Sequence, residues 1–234
     1  MAKMVGLSRS IKIEWLNKVA DLVVEGKSEQ EIKNELNEYL SFEIKSPTNL
    51  RKTREILMYI WLKSGDEYRE LRSKALEVYK LERSNKLAIH WCLMLAAYPV
   101  FADVCSLLGK LTNIQDTFTT SWLKEKLFEV WGERSTLLHS SDKILQTLKY
   151  IGAIENLKVG TYQTKKYLIN DSETITLLIM TILLTNEKAY FKVAELANTP
   201  QMFPFEFVVS HEWLHNSNCF SLNNFGGKVV LVKE

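Results

Sequence analysis

Between Thr119 and Ile169 the chain repeats its apolar residues first at helical and then at strand spacing. Few small architectures accept that order. Thr119, Thr120 and Ser121 offer helix caps, and Leu123, Leu127, Val130 and Trp131 follow on one face. Gly132-Glu-Arg-Ser135 is short and turn-like. A second helix starts with Ser135 or Thr136 as its cap. Leu137, Ile144, Leu148 and Ile151 lie on one side of it, and Gly152 ends it. Ile154 to Val159, then Gly160, then Thr161 to Ile169 read as a hairpin about a Val159-Gly160 turn. Pro99 disfavours a helical Tyr98, so one helix ends near Ala97 and another runs from Val100 to Leu111.

The order is helix (100–111), helix (120–131), tight turn, helix (136–151), hairpin. That is the order of a winged helix-turn-helix, and the rest of the chain fits around it. Ile13, Leu16, Val19, Ala20 and Val23 share a face, and Gly26 fits the stop. Ser28-Glu-Gln-Glu31 reads as a capping box for a helix with Ile32, Leu36, Tyr39 and Leu40 inward. Ser46-Pro47 starts a third helix, with Leu50, Ile56, Leu57, Ile60 and Trp61 at helical spacing. Gly65-Asp66 breaks the chain before a fourth, Tyr68 to Leu81. After Asp171-Ser172 a helix runs from about Glu173 and a second to Asn198. Phe205 to Val209 is a short strand, and His211 to Asn216 is at most one helical turn. Phe220–Leu222 and Val229–Val232 form a hairpin across Asn223–Gly227. The fold class expected is mainly α: an N-terminal helical bundle (1–86), a central winged helix-turn-helix (87–170) and a small α+β C-terminal region (171–234).

With 234 residues and 46% hydrophobic content, the chain has material for a sizeable core, and disorder and low complexity are excluded. Three cysteines, Cys92, Cys105 and Cys219, cannot make a disulfide framework, so a reducing, cytoplasmic setting is expected. No signal peptide is apparent at the start, and the longest apolar stretches, Trp91–Val100 and Ile175–Leu184, are about half a membrane span. No membrane partner is expected. Net charge is only +2, but its distribution is uneven: residues 1–90 and 119–170 each carry +3, and residues 171–234 carry −3. A polyanion would meet the first and middle parts first.

The candidate site follows from the second helix of the turn. With Leu137, Ile144, Leu148 and Ile151 inward, the opposite face shows Thr136, His139, Ser140 and Lys143, with Gln146 and Thr147 farther along. A major groove accepts one α-helix, and small polar groups on it can meet base edges. The hairpin carries Lys158, Tyr162, Gln163, Lys165 and Lys166, and the preceding helix Lys124 and Lys126. Such lysines would neutralise backbone phosphates, the sequence-independent part of affinity. The alternative is a scaffold for protein contact, with soluble lysines. No Arg lies on the exposed face from Thr136 to Tyr150, which weighs against tight base-specific reading. Arg51-Lys52-Thr53-Arg54 puts three cations near the start of a helix, where a phosphate partner would be favourable. A solvated face, with Glu55 partly cancelling the charge, is the plain alternative.

His211-Glu-Trp-Leu-His215 matches the pattern in which two imidazoles one turn apart hold zinc and the Glu serves as base. Its surroundings are wrong for that: a strand-like Phe205–Val209 precedes it and Asn216-Ser-Asn follows. Position 221, where the extended pattern needs a third His, is Ser. Cys219 could complete a site only if the helix continued through Ser217. A zinc hydrolase is therefore the remote alternative, and neither metal nor cofactor is expected. No GxGxxG, GxxxxGK[ST] or GxSxG occurs, and His90, Cys92 and Cys105 read as buried groups in apolar helices.

Three segments carry a family resemblance: Lys18-Val-Ala-Asp-Leu-Val-Val-Glu-Gly26, His90-Trp-Cys-Leu-Met-Leu-Ala-Ala-Tyr-Pro99 and Trp131-Gly-Glu-Arg-Ser135. With the capped N-terminal helices, the Arg51–Arg54 helix and the helix-turn-helix, the chain over about residues 10–170 resembles the mostly helical BrxA-type proteins of bacterial BREX phage-defence islands. The tail, 171–234, departs from that pattern. The resemblance implies a non-enzymatic, double-stranded DNA-binding accessory protein that works beside other proteins of the same defence system. A protein-interaction adaptor, docking through its apolar and acidic last quarter, is the competing class.

Overall fold

The computed structural model describes residues 6–210, 213–214, 220–225 and 228–232. The protein is mainly helical, with small sheets in the second half. Four helices come first: α1 (Ile13–Val24), α2 (Glu29–Ser41), α3 (Pro47–Met58) and α4 (Arg69–Tyr79). Local chemistry sets their starts. Ser28 and Glu31 close a reciprocal capping box on α2. The Ser46 hydroxyl accepts from Asn49 N–H, with Pro47 in the first turn of α3. The end of α3 widens into a π-helical turn, Tyr59–Lys63, that buries Ile60 and Trp61. The inward face of α1 is rotated from the expected one: Trp15 and Leu22 are buried with Leu16, Val19 and Ala20, while Ile13 and Val23 lie at its margin.

Next come α5 (Lys86–Ala97) and α6 (Pro99–Thr112), bent 119° apart at Tyr98. Every residue of α5 from Ala88 to Ala97 is buried, the mark of a central helix. It packs on α9 (Ser172–Thr185), which is buried from Thr174 to Ile179 and again from Thr181 to Leu183. The Cys92 thiol meets the Leu177 carbonyl there, and burial pushes its pKa up to about 12. Trp91 Nε1 donates to the Gln201 carbonyl, and its ring meets Phe101, Phe203 and Phe205 edge-on. The apolar cluster is thus continuous from the first helices to the tail. No single helix among the described residues is long and apolar enough to cross a bilayer.

The middle region runs β1 (Thr117–Thr119), α7 (Thr120–Trp131), α8 (Ser135–Tyr150), β2 (Ile154–Lys158) and β3 (Thr161–Thr164). Its three strands form an antiparallel sheet in the order β1-β3-β2. β1 was not expected; Phe118 faces Tyr162 across the sheet with rings stacked 5.5 Å apart. The expected strand Thr161–Ile169 is divided. Its far part, β4 (Tyr167–Leu168), pairs in parallel with β6 (Phe205–Glu206) of the tail. Two further expectations are corrected. Val130 points out, 60% exposed, although Leu123, Leu127 and Trp131 are buried. α8 is capped by neither Ser135 nor Thr136: Arg134 is its N-cap and supplies no side-chain acceptor.

The tail adds β5 (Tyr190–Lys192) and a single turn, α10 (Val193–Leu196), where a longer helix was expected. The anticipated last hairpin is present as β7 (Ser221–Phe225) and β8 (Lys228–Val232), with β5 on its other edge. The strand expected over Phe205–Val209 is only β6.

Candidate nucleic-acid interface

Helix α8 positions the site. Leu137, Ile144, Leu145 and Leu148 anchor it to the core, which leaves about half of its circumference in water. Thr136 and His139 are exposed there, and Lys143 and Gln146 are half-buried beside them. Ser140 does not join them: it is 5% exposed, and Thr147 is fully buried. The reason is an arm that no periodicity announces. Residues 6–12 lie along the flank of α8, with Leu7 and Ile11 buried. Ile11 N–H donates to Thr147 Oγ1 at 3.0 Å, and that hydroxyl donates onward to the Lys143 carbonyl at 2.8 Å. The Lys12 ammonium sits 5.9 Å from the Tyr150 ring centre. Gly6 and Ser8 meet the other end of α8, around Ser135, Thr136, His139 and Ser140. Gly6 has φ +72° and lies against the Tyr98 ring, where a Cβ would come within 2.7 Å of a ring carbon.

The cations divide into committed and free. Lys124 pairs with Asp142 of α8 at 2.7 Å, and Lys126 pairs with Glu129 at 2.6 Å. Lys165 pairs with Glu155 at 3.0 Å, a contact that raises its pKa. Lys166 lies past the end of β3 and donates to the Phe203 carbonyl at 2.8 Å, so it serves the junction with the tail. Of the lysines expected on the flap, Lys158 is exposed at the end of β2 and its ammonium has no partner among the described residues. Val159 and Leu157, 101% and 52% exposed, give the hairpin tip an apolar character beside that charge.

The Arg51–Arg54 cluster is divided too. Arg51 and Lys52 are exposed. Arg54 is buried: its guanidinium donates to Asn37 Oδ1 at 2.6 Å and pairs with Glu55, whose pKa it lowers. Its charge is held inside the fold by these two contacts. Arg9 donates to both the Ser8 carbonyl and Asn49 Oδ1 of α3, tying the start of that helix to the arm beside α8.

Sequence reasoning missed Arg134 and Lys149. Both are exposed and their side chains have no partner among the described residues, one at the start of α8 and one in its last turn. Arg134 was in view as part of the turn, but its place at the helix cap depended on where α8 begins. No signal could have given the arm, because its contacts with α8 lie more than a hundred residues away.

The zinc-like motif cannot be placed: His211, Glu212, His215 and Cys219 lie outside the described residues. Among the described residues no three His, Cys, Asp or Glu side chains gather as a metal would need. Comparison of the chain with protein-family models, curated proteins and solved structures returns no match.

Proposed function

We propose that the unit from β1 to β3 is a winged helix and that the protein binds double-stranded DNA without enzymatic action, as an accessory of a bacterial phage-defence system. Thr136, His139, Lys143 and Gln146 of α8 face the groove. Arg134 and Lys149 flank them, Lys158 follows the adjoining backbone, and Arg51 and Lys52 extend the contact. One observation carries this proposal: a helix of 16 residues keeps a polar face in water while a β-hairpin in the sheet order β1-β3-β2 stands beside it. The charge sets the strength. Residues 117–164 hold six Lys/Arg against five Asp/Glu, so affinity comes from the arrangement of free cations, not from bulk charge. Binding is expected to be sequence-tolerant and salt-sensitive.

A duplex titration at two salt concentrations tests it. With about four or five phosphates neutralised, log affinity falls by roughly four per tenfold rise in salt. Lys143→Ala and Lys158→Ala each reduce that slope by about one, whereas Lys165→Ala and Lys166→Ala leave it unchanged. No shift of duplex at low salt sinks the proposal. The apolar hairpin tip, Leu157 and Val159, favours a second role in which the unit is a scaffold for a protein partner. Co-purification of that partner, lost on Val159→Asp, together with no duplex binding, would select it.

A further inference from the structure

The arm and the first turns of α8 enclose a cleft of about 500 Å³, lined by Gly6, Ser8, Ser135, Thr136, His139 and Ser140. Its lining holds no carboxylate and is rich in donors: four hydroxyls and an imidazole. The cleft lies at the start of α8, where the helix dipole and unused N–H groups favour negative charge. Those N–H groups are unclaimed. Arg134 offers no side-chain cap. The carbonyl of Arg134 takes the N–H groups of Leu137 and Leu138, while those of Ser135 and Thr136 find no acceptor among the described residues.

Ser140 is the second, independent observation. The residue is only 5% exposed and lines the cleft, and its hydroxyl, which keeps some accessible surface, has no partner among the described residues. The neighbouring serine behaves otherwise: Ser141 donates to the Leu138 carbonyl one turn back, the usual resort of a helical hydroxyl. A hydroxyl on an otherwise buried residue, open toward a donor-lined cleft, can donate to an acceptor-only ligand. The charge nearby has the right sign, with Arg134 at the helix cap and the Arg9 guanidinium on the Ser8 carbonyl.

We infer that this cleft is a phosphate seat: the N–H groups of Ser135 and Thr136, the hydroxyls of Ser8, Thr136 and Ser140, and the His139 ring bind one tetrahedral phosphate group. The group belongs either to a nucleic-acid backbone or to a small phosphorylated molecule; the recognition chemistry is the same. In the first case the seat deepens the proposed duplex binding and fixes where α8 meets the strand; in the second the phosphorylated molecule shares Thr136 and His139 with the duplex face and competes for them.

The test uses the whole chain and inorganic phosphate, followed through the backbone amide resonances, with chloride at equal ionic strength as reference. The amides of Ser135 and Thr136 should shift saturably with phosphate and not with chloride. Ser140→Ala, which removes one hydroxyl from a site that already packs, should weaken phosphate binding about three- to tenfold, as expected for one hydrogen bond. Thr136→Val on the surface gives a second loss of that order. No saturable shift, or a shift indifferent to both substitutions, overturns the inference. A duplex titration then separates the sources. If Ser140→Ala lowers duplex affinity by the same factor, the seat takes backbone phosphate. If the phosphate response stands while Ser140→Ala leaves duplex affinity unchanged, or no duplex binds at all, the seat takes a small phosphorylated ligand; only the absence of duplex binding counts against the duplex proposal.

Discussion

Arg54 is a cation whose charge the fold has already used. Its side chain is 8% exposed, held by Asn37 and by Glu55, itself 44% exposed. Removing one partner of a fully buried pair costs about 3–5 kcal/mol, because the other charge is stranded. Here Glu55 can rehydrate, so Arg54→Ala should cost about 2 kcal/mol of stability, read as a lower urea midpoint. Arg51→Ala should stay within about 0.5 kcal/mol, as exposed sites do. If Arg54→Ala leaves the midpoint unchanged, the buried pair contributes nothing. Charge was legible in the sequence, and so were the buried His90, Cys92 and Cys105. Partners were not. Glu55, adjacent on α3, was in view, but Asn37 of α2 claims Arg54, and Glu155 claims Lys165, through contacts between different elements that no spacing rule supplies. Ser140 failed for a related reason: its side of α8 is polar, and only the arm makes it interior.

At the scale of elements, the tail is held to the body by a close approach at Gly109. The 3-10 turn Pro200–Met202 lies on α6 at that residue, and a Cβ there would collide with the Pro200 carbonyl. Backbone cannot swing aside as a side chain can, so Gly109→Ala should cost about 3 kcal/mol, at the upper end for overpacking. The same change should loosen the tail, exposing Trp91 to fluorescence quenchers, since Trp91 is bonded to the neighbouring Gln201 carbonyl. Unchanged melting and quenching would show that the turn shifts freely. Helix starts with a capping chemistry of their own, such as Ser28-Glu31 and Ser46-Pro47, were legible because the signal lies within four residues. The strands β1 and β4 were not. Each has at most three residues, and each exists only because a distant segment pairs with it, Thr161–Gln163 for one and Phe205–Glu206 for the other. The divided hairpin follows from the same cause: once Tyr167 pairs with Phe205, Lys165 stays on the hairpin beside Glu155 while Lys166 sits at the junction with the tail.

Across the whole molecule, His90 joins four parts of the N-terminal body and makes its stability depend on acidity. It lies on α5, fully buried, and its Nδ1 accepts from Trp61 Nε1 of the π-helical turn at 3.3 Å. That fixes Nδ1 as the unprotonated nitrogen, so Nε2–H donates to Asn17 Oδ1 of α1 at 2.9 Å. The Tyr79 ring of α4 packs 5.7 Å away, and Tyr79 itself donates to Asp21. Burial, reinforced by Lys86 one turn earlier, pushes the imidazole pKa down from 6.5 to about 3. The sign follows. Above pH 6.5 neither the folded nor the unfolded chain holds the proton, so the contribution is complete. Below it the unfolded chain takes up the proton and the native state does not, so stability falls as pH drops toward about 3. The slope reaches about 1.4 kcal/mol per pH unit. Carboxylates whose pKa values are lowered in the fold, such as Glu31 and Glu43, lose their contribution only at lower pH, so the window from 6.5 to about 5 isolates the histidine. Gln can keep both bonds, accepting from Trp61 and donating to Asn17, without titrating. Urea midpoints measured through that window should fall in the wild type and stay nearly level in His90→Gln. Parallel curves for the two proteins would mean that the bundle tolerates a charged imidazole at its centre, against what the Trp61 and Asn17 bonds require.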